Sequence, residues 1–154
     1  MTLDATDTVI LSMLQENART SNAEIARALG IAPSAVLERI RKLEQRGVIR
    51  GYHADIDPTA LGYGLTAFVN MRTGFGQDHP RAVEALSRIP EILEIHETAG
   101  EDCLIVKVRC QDIQAYHALL NEKIRFIEGV HSTRTTIVIG TAKETRELPL
   151  DTTT

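Results

Sequence analysis

The stretch from Ser21 to Arg50, SNAEIARALGIAPSAVLERIRKLEQRGVIR, admits very few folds. Ser21 with Glu24 three residues on is a capping box, in which hydroxyl and carboxylate satisfy backbone N–H groups that a first helical turn leaves open. Ile25 and Leu29 then stack one turn apart with Ala28 beside them, and Gly30 supplies a left-handed residue that stops the helix. A second helix opens at Pro33, whose missing N–H costs nothing in a first turn. Val36, Ile40 and Leu43 form its inner face, and Gly47 ends it. Small Ala26 and the Gly30 turn let the two helices cross closely. That is helix-turn-helix geometry, in which the second helix enters the DNA major groove.

The outer face of that second helix carries Ser34, Glu38, Arg41 and Gln45, with Arg39 and Lys42 at its flanks. From Arg39 to Arg50 five cations (Arg39, Arg41, Lys42, Arg46 and Arg50) face the single acid Glu44, while the whole chain has a net charge of −4. The positive charge is therefore local. Arginine forks suit guanine edges and phosphates, and lysine suits phosphate. Periodicity alone fits a solvated helix with ordinary ion pairs. The cap, the small residue, the turn glycine and a basic segment in register favour DNA contact by Ser34, Glu38, Arg39, Arg41, Lys42 and Arg50.

These residues resemble the N-terminal half of the Lrp/AsnC family, the feast/famine transcriptional regulators. The landmarks are Asp4 and Asp7, Asn17-Ala18-Arg19, Ala26, Gly30, Val36, Arg39, Leu43-Glu44, Gly47-Val48-Ile49, Gly51-Tyr52, Ile56-Asp57-Pro58 and Leu61-Gly62, and the likeness runs to about residue 149. One departure is Ala32, where the family usually places a serine cap; its absence costs about 1 kcal/mol locally, offset in part by Pro33.

Length and composition fit this frame. A chain of 154 residues with 43% apolar content builds one domain or two small ones. No segment reads as membrane-spanning or as a secretory leader, so the expected location is cytoplasmic with no membrane partner. Cys103 and Cys110 share one predicted strand on opposite faces and do not pair within it; no CxxC motif occurs.

A first helix is expected from Asp4 to Asn17, with Asp4 and Asp7 favoured by the helix dipole and Val9, Ile10, Met13 and Leu14 buried. A basic strand after Gly47, with Val48, Ile49, Tyr52 and Ile56, is expected to complete a winged module. The expected division is a winged helix-turn-helix over residues 1–62, linker strand included, and a second domain over 63–154. That second half alternates strand, helix, strand twice: strands at Leu65 to Thr73, Ile92 to Ala99, Cys103 to Cys110 and Val130 to Thr141, and helices over Pro80 to Ile89 and after Asp112. The order βαββαβ makes it a ferredoxin-like α+β domain with both helices on one face of an antiparallel sheet. Phe68, Ile105, Ile137 and Ile139 are expected on the other face, which would then be covered. The resemblance implies dimerisation there, and allows a higher assembly of dimers such as an octamer.

The resemblance also implies an amino-acid effector. Thr98-Ala99-Gly100-Glu101-Asp102 resembles the family's glycine-and-aspartate turn, and Gly129-Val130 with Thr133 and Thr135 resembles the start of its last strand. The implied effector residues are Gly100, Glu101, Asp102, Thr133 and Thr135, in a pocket between subunits. Turn N–H groups suit a carboxylate and acidic side chains an ammonium, although a plain tight turn needs the same Gly and Asp. No catalytic or metal-binding constellation assembles around the five histidines, and no cofactor motif is present. The chain thus reads as a non-enzymatic, sequence-specific regulator of double-stranded DNA. The alternatives are an effector-independent chromosome-architecture protein and an enzyme like the sirohaem decarboxylases, which resemble the same two-domain plan. The basic residues of the C-terminal half are dispersed, which disfavours a polyanionic tetrapyrrole.

Overall fold

The computed structural model describes residues 3–150, which form two compact units. The chain from its start to Asp55, joined by the segment from Lys143 onward, makes one unit, and Ile56–Ala142 makes the other. The division expected at 62/63 thus falls seven residues earlier (62 − 55), and the tail belongs with the N-terminal unit.

Three helices build the N-terminal unit: α1 (Ala5–Glu16), α2 (Asn22–Leu29) and α3 (Pro33–Gln45). Asp4 caps α1 by accepting from the Asp7 N–H at 2.7 Å. At α2 the capping box is complete: the Glu24 N–H donates to Ser21 Oγ, and the Ser21 N–H donates to Glu24 Oε2 at 2.8 Å. Gly30 leaves α2 at φ 67°, the left-handed region that lets the chain turn directly into α3. Ala32 precedes α3 with extended backbone and makes no side-chain cap, while Pro33 occupies the first turn. The core is small: Ile10, Ile25, Ala26, Val36, Ile40 and Leu43, flanked by half-buried Leu11, Met13, Leu14, Leu29, Ile31, Val48 and Ile49. Each fully buried isoleucine here contributes about 1.5–3 kcal/mol by leaving water.

The expected wing strand does not form within the chain. Among the described residues no strand lies between α3 and Leu65; residues 51–57 run as irregular backbone. A ladder needs a neighbouring strand, and the described residues of this unit offer none. Tyr52 is instead fastened by its hydroxyl, which donates to Glu44 Oε1 on α3 at 3.0 Å.

The second unit has the expected βαββαβ order: β1 (Leu65–Thr73), α4 (Asp78–Ser87), β2 (Ile92–Glu97), β3 (Leu104–Cys110), α5 (Ile113–Ala118) and β4 (Val130–Ile137). The strands form one antiparallel sheet in the order β2-β3-β1-β4. Asp78 lies inside the first turn of α4, whose cap position is Gln77. The helix expected to continue after Asp112 tightens and loosens: one π-helical turn over Leu119–Lys123 follows α5, then a 3₁₀ turn over Ile124–Phe126. Ala67, Val69, Met71, Leu104, Val106, Val108 and Cys110 point to the helix side, where they meet Leu86, Tyr116, Leu119 and Ile124.

The other face of the sheet corrects the sequence reading. Residues directly opposed in antiparallel strands share a face. Ile137 is opposed to Ala67 and therefore lies on the helix side, at 43% exposure; Phe68 faces Thr136. The outer face thus presents Thr66, Phe68, Asn70, Arg72, Ile105, Lys107, Arg109, Ser132, Arg134 and Thr136, of which only Phe68 and Ile105 are apolar. Ile139 lies beyond β4 and is fully exposed. A shift of register between Arg72 and Thr73 sets the parity of β4, and a one-residue shift moves every side chain to the opposite face.

Candidate functional site

The first candidate surface is α3. Val36, Ile40 and Leu43 anchor its inner side, which leaves Ser34, Leu37, Glu38, Arg41, Lys42 and Gln45 exposed along the outer side. Lys42 Nζ lies 2.7 Å from Glu38 Oε1 one turn away, and this contact holds the Glu38 carboxyl below its usual range. Arg41 and Arg50 are exposed.

Arg39 is used differently from the expectation. Its Nη1 lies 2.7 Å from Asp4 Oδ2 and 2.7 Å from Asp7 Oδ1, so the guanidinium ties α3 to the N-terminal turn of α1. Hydrogen bonding to Asp4 and Asp7 pushes its pKa up from an already high value. Asp4 in turn is held below the usual carboxylate range by the Asp7 backbone N–H, then by Arg39. An arginine engaged by two carboxylates braces α3 against the first turn of α1. The sequence spacing did not reveal these two internal contacts. Leu37 was missed for the converse reason: a leucine in a helix reads as core, yet here it stands exposed among Ser34, Glu38 and Arg41.

The second candidate is the turn between β2 and β3. The Thr98 N–H donates to the Cys103 carbonyl at 2.9 Å, and the Thr98 hydroxyl donates to the Asp102 carbonyl at 2.6 Å. This closed turn carries Gly100, Glu101 and Asp102. Glu101 is paired with Arg72, which also donates from Nε to the Glu101 carbonyl at 3.3 Å. Asp102 is paired with Arg134 and is only 21% exposed. Arg72 and Arg134 come from β1 and β4 on the outer face of the sheet. Two carboxylates and two guanidinium groups thus converge on one turn.

Thr133 and Thr135 do not join them. They are opposed to Met71 and Val69, so they point to the helix side, and Thr135 shares a hydrogen bond with the Tyr116 hydroxyl. The five expected effector residues therefore divide: Gly100, Glu101 and Asp102 form the turn, while the two threonines lie on the opposite face of the sheet. The partners that do meet the turn, Arg72 and Arg134, were legible only through strand register.

Beneath the turn, Thr73 is 6% exposed and acts as a junction. Its hydroxyl lies 2.7 Å from His79 Nδ1 and 3.1 Å from Cys103 Sγ, and its N–H donates to the same sulfur at 3.2 Å. These contacts fix the start of β3 against the end of β1. Cys103 and Cys110 are both free thiols. A hollow of about 440 Å³ lies at the far end of β3, lined by Tyr63, Pro90, Glu91, Leu93, Arg109 and Gln111, and contains none of the expected effector residues. Among the described residues no group of His, Cys, Asp and Glu is placed to hold a metal ion, and no helix is long and apolar enough to cross a membrane.

A helix-turn-helix unit with an outward basic helix, joined to a ferredoxin-like unit with a charged turn, defines a two-part DNA-binding regulator. Residues 66–148 match the family model described as the Lrp/AsnC ligand binding domain, and residues 3–50 match that of a winged helix-turn-helix DNA-binding domain. The chain belongs to the Lrp/AsnC family of transcriptional regulators. It is 39% identical over 148 residues to the HTH-type transcriptional regulator FL11 of Pyrococcus horikoshii, covering 96% of this chain and 97% of the relative. It is 35% identical over 137 residues to regulatory protein AsnC of Escherichia coli, covering 89% and 90%. Among solved structures, the Neisseria meningitidis transcriptional regulator NMB0573, in complex with L-Met, superposes with a TM-score of 0.91 at 30% identity, covering 97% of this chain and 98% of that one. This protein is accordingly a DNA-binding transcriptional regulator.

Proposed function

We propose that this protein reads specific sites in double-stranded DNA through α3 and adjusts that binding in response to a free amino acid taken at the Thr98–Asp102 turn. The turn is the observation that carries the reading. Glu101 and Asp102 present carboxylates to an ammonium group, while Arg72 and Arg134 present guanidinium groups to a carboxylate. An α-amino acid offers both charges within a few bonds, and would exchange one internal ion pair for two external ones. Methionine is the first effector to test, because the N. meningitidis neighbour was solved with it.

On DNA, Arg41 is assigned to a base edge or phosphate, Ser34 and Glu38 to base edges, and Lys42 and Arg50 to the backbone. Leu37 has the chemistry to meet a thymine methyl. A homodimer would present two such helices to related half-sites, with the outer sheet face between subunits. No catalytic step enters this reading, and its setting is the cytoplasm, with the DNA it binds.

The test is a mobility-shift titration on the gene's own upstream region, with and without each common amino acid, paired with calorimetry. The reading expects heat from at least one amino acid and a change in DNA affinity of several-fold with that same compound. No heat and no change with any of them would leave an effector-independent DNA-binding protein.

A further inference from the structure

Residues 143–150 return to the DNA-binding unit, where the Gln15 side chain grips their backbone at Leu148. The Leu148 N–H donates to Gln15 Oε1 at 2.8 Å, and Gln15 Nε2 donates to the Leu148 carbonyl at 3.1 Å. Gln15 lies in the last turn of α1, 133 residues away in sequence. A primary amide carries one acceptor and two donors, so it grips an extended backbone at one residue as a neighbouring strand would. Just before the grip, the Glu147 N–H donates to Thr145 Oγ1 at 3.1 Å and shapes the approach. Leu150, past it, is half-buried. An exposed segment outside helix and strand frays unless something ties it down, and here the tie is specific.

What this tail is continuous with gives it a role. β4 carries Arg134, the partner of Asp102 at the effector turn. Its ladder extends one step further, the Val138 N–H donating to the Thr66 carbonyl at 2.9 Å. Only residues 139–142 then separate the ladder from the segment that belongs with the DNA-binding unit. The chain therefore crosses between the units twice, once after Asp55 and once after Ala142.

We propose that residues 143–150 are a strap that couples the effector turn, through β4, to helix α1 of the DNA-binding unit, with Gln15 as its buckle. The inference rests on the amino-acid reading of the turn given above. A ligand that displaces Arg134 from Asp102 acts on β4, and the strap makes that strand's end a second attachment of the DNA-binding unit. With the strap released, a single crossing after Asp55 remains. Coupling of this kind is measurable as the factor by which the effector changes DNA affinity.

The experiment uses the full chain, the Gln15→Leu variant, which keeps the shape and removes both hydrogen bonds, and Leu148→Pro, which removes the N–H on the other side. Calorimetry reads L-methionine binding, and fluorescence anisotropy reads operator affinity with and without it. Limited trypsin digestion with mass analysis reads cleavage after Arg146. The strap predicts that L-methionine affinity and effector-free operator affinity stay within about twofold of wild type in both variants. It predicts that an effector response on the order of tenfold in wild type falls below twofold in both. It also predicts that Gln15→Leu is cut after Arg146 several times faster than wild type. Normal methionine heat with an undiminished response in both variants would overturn the strap while leaving the effector reading intact. So would equal cleavage rates, whatever the ligand does. Protected tails with no heat from methionine or any other amino acid would overturn the effector reading, and with it the coupling proposed for the strap.

Discussion

The Arg39 guanidinium lies 2.7 Å from the Asp7 carboxylate, and the same nitrogen reaches Asp4 at 2.7 Å. One arginine of α3 thus holds the first turn of α1 at its cap. Asp7 is 14% exposed at its side chain, so this contact is better shielded than a surface ion pair.

The first prediction separates bracing from reading. Arg39→Ala is expected to lower the thermal midpoint by a few degrees and to weaken operator and random DNA alike, with Arg39→Lys restoring much of the stability. Arg41→Ala is expected to cost roughly 1–3 kcal/mol on the operator and to relax base preference at one position. Lys42→Ala should weaken all sequences equally and reduce the salt dependence by about one phosphate contact. Anisotropy titrations at several salt concentrations distinguish the three patterns. A base-specific loss in Arg39→Ala would return that residue to the reading face.

The second prediction concerns the missing cap. Ala32 holds the extended conformation of a cap residue but offers no side-chain acceptor to α3. Ala32→Ser is expected to stabilise the N-terminal unit by about 1 kcal/mol, and Ser21→Ala, which breaks the α2 capping box, to destabilise it by a similar amount. Urea denaturation monitored by helix circular dichroism measures both.

Sequence carried more of one half of the problem than of the other. Ser21 with Glu24, Gly30, Pro33 and the Val36, Ile40, Leu43 spacing are local signals, and each lies where its chemistry requires. β1 and β3 were legible for a similar reason, because Ala67, Val69, Met71 and Leu104, Val106, Val108 alternate cleanly. β4 was not. Its sequence VHSTRTTI has apolar residues only at its ends, and its parity is set by a register shift against Arg72 and Thr73. That shift is a property of two strands together, so it put Ile137, Thr133 and Thr135 on the helix side and Arg134 at the turn. The wing failed for a related reason: a strand-like composition after Gly47 does not say what it will pair with.

The third prediction uses pH in both directions. Burial, then the Glu44 contact, pushes Tyr52 up to about 12 from an ordinary value of 10.0. A phenol with a raised folded value contributes stability that is complete below the unfolded value and is lost as pH rises through the folded one. The N-terminal unit should therefore weaken between about pH 10 and 12, and Tyr52→Phe should remove that component. Ultraviolet titration of phenolate absorbance should show a tyrosine component near 12 that is missing in the variant. Asp4 runs the other way: its lowered folded value gives a contribution complete above 3.8 that fades as pH falls through the folded value. Asp4→Asn should flatten the acid limb.

The fourth prediction concerns the turn. Arg134 is mostly exposed while Asp102, its partner, is largely shielded, so opening this pair frees a guanidinium at the surface and uncovers a carboxylate. A free amino acid meets both requirements at once, and its ammonium would compete with Arg134 for Asp102. Asp102→Asn keeps the shape and the Thr98 contact to the backbone carbonyl but removes the charge. It is expected to lower amino-acid affinity at least tenfold while effector-free operator binding stays within about twofold. Arg72→Ala, which leaves Glu101 without its partner, should also weaken binding by losing a cation for the ligand carboxylate. Thr135→Val removes a hydroxyl on the far side of the sheet, where it meets Tyr116, and should leave ligand affinity unchanged. Calorimetry on the three variants decides between the two faces of the sheet. A loss confined to Thr135→Val would move the site to the helix side and remove Arg72 and Arg134 from it.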